Sequence, residues 1–148
     1  MIEEELNNVE EVNIPLEDKH VGQGAIEIAP EVLEIISGIT VNEIDGVYAM
    51  QGSFKSGVNE LLGRSSHNKG IYLNSTDNGL SIDVYCYLKY GASVPKVALE
   101  MQTKIKEQIL FMSDLEINHV NVHVVGLVTP REVEKHRASL AKGMEYQA

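Results

Sequence analysis

The chain has 148 residues, 43% of them hydrophobic, and 22 Asp and Glu against 12 Lys and Arg give it a formal charge of −10. Such a length and apolar content suffice for one domain with its own core and argue against wholesale disorder. The acidic balance weighs against a binder of nucleic acid or of an anionic membrane surface, because neutralising phosphates needs clustered Lys and Arg. A single cysteine, Cys86, excludes an intramolecular disulfide framework and fits a reducing compartment. The first residues lack the basic start and apolar core of a secretory signal, and nowhere do about eighteen apolar residues run together. The expected location is cytoplasmic, with any membrane association made through a partner.

Residues 1–23 read as an acidic flexible leader, with Glu3, Glu4, Glu5, Glu10, Glu11, Glu17 and Asp18 set against Lys19. Gly22 and Gly24 mark the entry to a single α+β domain expected over residues 24–129. Residues 25–29, AIEIA, alternate as a short strand with Ile26 and Ile28 inward. Pro30 suits the first turn of a helix, where its missing N–H is no loss, and Val32, Leu33, Ile35, Ile36 and Ile39 recur at helical spacing. A short strand is expected over Gly46 to Met50. The glycine-punctuated segment QGSFKSGVNELLGRSSHNKG is a long loop in which Val58, Leu61 and Leu62 can form one helical turn.

Ile71 to Tyr90 reads as a hairpin turning at Asp77-Asn78-Gly79. In its second arm Ile82, Val84, Cys86 and Leu88 share one face, and Ser81, Asp83, Tyr85, Tyr87 and Lys89 share the other. Ser93 can cap a helix beginning near Pro95, with Val94, Val97, Ala98, Met101, Ile105, Ile109 and Met112 as its core stripe. A last strand spans Ile117 to Val128, where Val120, Val122 and Val124 alternate with His119, Asn121 and His123. Residues 130–148 form a charged C-terminal tail able to make a short exposed helix. The order strand, helix, strand, loop, hairpin, helix, strand predicts a two-layer α+β sandwich: a mostly antiparallel sheet with two helices packed on one face. The other sheet face is then partly polar and exposed.

Asp83, Tyr85, Tyr87, His119, Asn121 and His123 fall on that outer face if the last strand neighbours the hairpin, which makes them a candidate interaction surface. Tyrosines on an open sheet are good contact residues. An acid–base or metal-dependent enzyme built on Asp83, His119 and His123 is the rival reading. A zinc site needs further ligands, however, and Cys86, the one soft ligand, sits in the apolar phase of its strand. No P-loop or dinucleotide fingerprint is present in the glycine-rich stretches. No catalytic residue, metal ligand or cofactor site is therefore assigned. His20, His67 and His136 sit in expected loops or tails, where their titration is uncoupled from the fold.

The run GAIEIAPEVLEIISGITVNEIDGVYAM, the segment GVNELLGR followed by KGI, then LSIDVYCYLKYGASVPKVALEMQTKIKEQI and VNVHVVGL together resemble the alkaline shock protein family. This is also known as the Gls-type envelope stress response family of Gram-positive bacteria. The resemblance spans about Gly24 to Val128. It implies an α+β protein without known enzymatic activity, linked to cell-envelope homeostasis, and held in some members near the membrane by a small integral-membrane protein. Other members resemble regulators of acetyl-CoA carboxylase and fatty-acid synthesis. Self-association is a further implication of the family. The expectation is thus a non-enzymatic protein-binding scaffold, with carboxylase regulation as the alternative.

Overall fold

The computed structural model describes residues 12–16, 22–52 and 69–145. Strands β1 (Ile14–Pro15) and β2 (Glu27–Ile28) precede helix α1 (Pro30–Asn42), strand β3 (Val47–Met50) and the hairpin of β4 (Ile71–Thr76) and β5 (Gly79–Lys89). Helix α2 (Val94–Ser113), strand β6 (Ile117–Val128) and helix α3 (Pro130–Glu145) follow. The architecture is the expected α+β sandwich, mostly antiparallel, with α1 and α2 against one sheet face. Among the described residues only β5 and β6 run parallel, because α2 supplies the long crossover that a parallel pair requires.

Strand β5 is the centre of the sheet. Along one edge β6 pairs with it from Leu80↔Ile117 to Lys89↔Val128. The other edge is shared: β4 covers the first half, from Thr76↔Gly79 to Ile71↔Val84, and β3 the second, with Met50↔Cys86 and Val47↔Leu88. Both run antiparallel to β5 and meet opposite Tyr85, whose O accepts from Gln51 N at 3.0 Å and whose N donates to Gly70 O at 2.8 Å. They behave as one strand interrupted between Gln51 and Gly70. Gly70 holds φ at +77°, and a Cβ there would lie 2.8 Å from Tyr85 O, so the junction requires glycine. The expected helical turn at Val58, Leu61 and Leu62 lies outside the described residues.

Side-chain alternation on β5 holds along its length. Ile82, Val84, Cys86 and Leu88 are fully buried beneath Leu33, Ile36 and Val41 of α1 and Val97, Met101, Ile105 and Ile109 of α2. The α2 stripe departs from expectation at both ends: Val94 and Met112 are exposed. Steps of four residues advance a helical stripe by about 40° each. By the last turn the sheet-facing position is therefore Ser113, which is buried and donates from Oγ to Ile109 O at 2.6 Å. Ser93 precedes α2 in extended conformation but makes no side-chain cap bond. In α1, buried Ser37 and Thr40 donate to Leu33 O and Ile36 O, so neither hydroxyl is left unsatisfied.

Each helix also ties down the sheet edge beneath it. Glu34 Oε1 accepts from Leu73 N of β4 at 3.2 Å, and Gln102 Nε2 donates to Val120 O of β6 at 3.0 Å. At the entry to the fold β2 is shorter than expected, and Ile26 is exposed. The cause is the pairing Ile14↔Ile28, which packs Ile14 against the core and draws part of the expected leader into the structure.

Two outcomes test this packing. Ile105→Ala leaves a void between α2 and the sheet and should cost about 2–5 kcal/mol, read by chemical denaturation. Burial pushes the Cys86 thiol from 9.0 up to about 11. Because the folded value is raised, its contribution is fully present below about pH 9 and is lost as pH rises toward 11. Wild-type protein should lose roughly 2–3 kcal/mol more stability over that window than Cys86→Ala, measured by denaturation at each pH.

Candidate functional site on the open sheet face

Opposite the helices, Ser81, Asp83, Tyr85 and Tyr87 are half-buried and alternate with the core residues of β5. The β6 register sets His119 beside Ser81, Asn121 beside Asp83 and His123 beside Tyr85. The β4 register sets Tyr72 beside Asp83 and Asn74 beside Ser81. All six expected surface residues thus occupy the outer face of β5 and β6 or its margin, but only some of them touch.

Asp83 is the hub. Its Oδ2 accepts from Asn74 Nδ2 at 2.7 Å, and its Oδ1 lies 3.2 Å from His123 Nε2. The His123 ring stacks on Tyr85 at 4.4 Å between centroids and 12° between planes, and Tyr72 meets Tyr85 edge-on at 5.7 Å. These residues form one connected cluster across β4, β5 and β6. A carboxylate that also holds Asn74 orients the imidazole, and stacking on Tyr85 covers one of its faces. The arrangement orders the aromatic surface around Tyr85, with Nε2 of the imidazole engaged by Asp83.

His119 stands at the other end of the row, beside Ser81, and does not join the cluster. Among the described residues no group of three or more His, Cys, Asp or Glu side chains could hold a metal ion. His20 and His67 lie outside the described residues. Tyr72 and Asn74, which complete the cluster, escaped the sequence reading although the alternation of Ile71, Tyr72, Leu73 and Asn74 points them outward.

Toward the other end of the face the pattern changes. The β6 register slips by one residue between Val124 and Gly126, so that Gly126 rather than Val125 lies beside Tyr87. A Cβ at Gly126 would approach the Tyr87 ring to 2.9 Å. Thr129 and Glu132 then form a capping box: Glu132 Oε2 accepts from Thr129 N at 2.9 Å, and Thr129 Oγ1 accepts from Glu132 N at 3.3 Å. One turn on, His136 stands edge-on to Tyr48 at 6.2 Å. It was expected in a loop or tail; the direction in which α3 leaves β6 brings it back to Tyr48 of the sheet. Tyr48, Tyr87, Gly126, Leu127, Val128, Glu132 and His136 line a shallow cavity of about 370 Å3. Among the described residues no helix is long and apolar enough to cross a membrane.

Comparison with known proteins supplies a biological setting. The chain is 47% identical over 111 residues to the uncharacterised protein YqhY of Bacillus subtilis, covering 75% of this chain and 81% of that one. An uncharacterised protein, Spy1535, of Streptococcus pyogenes is 33% identical over 118 residues, 79% of this chain and 89% of its own. A stress response regulator gls24 homolog of the same species is 24% identical over 119 residues, 80% of this chain and 66% of its own. No solved structure matches the chain. The model of the alkaline shock protein 23 family, described as having a cell envelope-related function, matches residues 18–129, and the chain belongs to that family.

Proposed function

We propose that this protein is a non-enzymatic binding module of the envelope stress response, and that its open sheet face is the surface that captures partner proteins. The observation that carries the reading is the Tyr72–Tyr85–His123 stack held in place by Asp83. Tyrosine offers a large amphipathic contact area with few rotatable bonds. Rings already held by neighbours lose little further freedom on binding, so more of the contact energy reaches affinity. The family's cell envelope-related description and the regulator name borne by a relative support a role in envelope homeostasis. In this reading the protein acts from the cytoplasm as a scaffold, and any contact with the membrane is made through a partner.

Affinity capture of tagged protein from crosslinked cells, followed by mass spectrometry, tests the assignment. Tyr72→Ala combined with Tyr85→Ala should lower partner recovery about tenfold or more while thermal unfolding shows an intact fold. Recovery of a small integral-membrane protein supports the envelope scaffold. Undiminished recovery by the double variant removes the sheet face from the mechanism, and capture of carboxylase subunits alone moves the function to lipid synthesis.

A further inference from the structure

We propose that the cavity between α3 and the sheet is a receptor for a cationic side chain, arginine or lysine, presented by a partner protein. The inference rests on the partner-binding reading above but concerns a separate site. Four elements converge there, with Leu127 and Val128 of β6 supplying aliphatic surface. Tyr48 of β3 and Tyr87 of β5 bring phenol rings, and Glu132 and His136, one turn apart on α3, bring a carboxylate and an imidazole. Space is left by Gly126, where any side chain would press on the Tyr87 ring. The cavity of about 370 Å3 fits the end of a long side chain better than a whole folded element.

The lining selects the charge of the occupant. Aromatic rings attract a cation through their quadrupole, and a carboxylate beside them adds a charge-assisted hydrogen bond. Glu132 holds Thr129 N with Oε2, which fixes the carboxylate at the rim of the cavity. An anionic occupant would meet Glu132 directly and a chain of formal charge −10 at long range. A purely apolar occupant would bury Glu132 without compensation. A guanidinium or ammonium group on an aliphatic stem answers both halves of the site: its stem lies along the rings and its head meets the carboxylate.

Backbone NMR of the full chain tests this with N-acetyl-arginine amide and its neutral isostere N-acetyl-citrulline amide. The arginine compound should shift the Gly126 and His136 resonances saturably, and the citrulline compound should not do so at equal concentration. Glu132→Gln keeps an oxygen for the Thr129 cap but removes the charge, and should weaken arginine binding about tenfold. Tyr72→Ala with Tyr85→Ala should leave it unchanged, which separates this site from the open-face cluster. Equal responses to the two compounds, shifts scattered over the acidic surface, or indifference to Glu132→Gln would each overturn the proposal. Agmatine binding tightly where the blocked arginine does not would overturn the partner and assign the cavity to a free amine.

Discussion

The parity of β5 governs both layers of this molecule. Because neighbouring residues of a strand face opposite ways, a slip of one position would turn Ile82, Val84, Cys86 and Leu88 to solvent and drive Asp83, Tyr85 and Tyr87 into the core. The register is therefore held by burial: each fully buried aliphatic side chain of this set contributes on the order of 1.5–3 kcal/mol. β5 is paired along both edges, by β6 on one side and by β4 and β3 in succession on the other. The open-face cluster inherits its rigidity from that position. Asp83, Tyr85 and Tyr87 stand on the strand with the most hydrogen-bonded neighbours, so their backbones cannot move without disturbing the core behind them.

The cluster in turn obeys a constraint of its own. Asp83 is only about a quarter exposed at its side chain, against 44% for His123. A carboxylate that loses so much water needs hydrogen-bond donors, and Asn74 and His123 supply them from the two flanking strands. Bonds of this kind join strands that the backbone ladder already joins, and they hold the His123 ring that stacks on Tyr85. A polar surface built in this way is already ordered, which is what the proposed binding role asks of it.

Much of this was legible in the residues because it depends on short-range periodicity. The alternation from Ser81 to Lys89 and the span Ile117 to Val128 follow from period two, and the burial of Cys86 follows from its phase. What escaped depends on distant partners. Nothing local in Val47 to Met50 or Ile71 to Thr76 announces that the two segments continue one another along β5, since the junction exists only where Gln51 and Gly70 meet Tyr85. The pairing of Ile14 with Ile28 likewise needs knowledge of where an acidic segment returns. Met112 was misplaced for a subtler reason: an ideal stripe puts it inward, whereas the sheet-facing direction drifts along α2 until Ser113 occupies it. The Thr129-x-x-Glu132 capping box was readable, but its consequence, the aim of α3 across Tyr48, was not.

The register slip in β6 connects these levels. From His119 to Val124 the strand keeps step with β5 and places its valines against the helices; one extra residue at Val125 then reverses the phase, as β-bulges do. Without it Gly126 would fall on the helix side, and Val125 would stand beside Tyr87 and fill the space that the cavity occupies. Val125 and Leu127 are substantially exposed, at 41% and 49%. An edge strand that accepts such exposure gains a redirected end: α3 leaves over the open face, carrying Glu132 and His136 toward Tyr48 and Tyr87. The single inserted residue thus divides one sheet face into two chemically different surfaces, a packed aromatic cluster at Asp83 and an anionic, ring-lined cavity beneath α3.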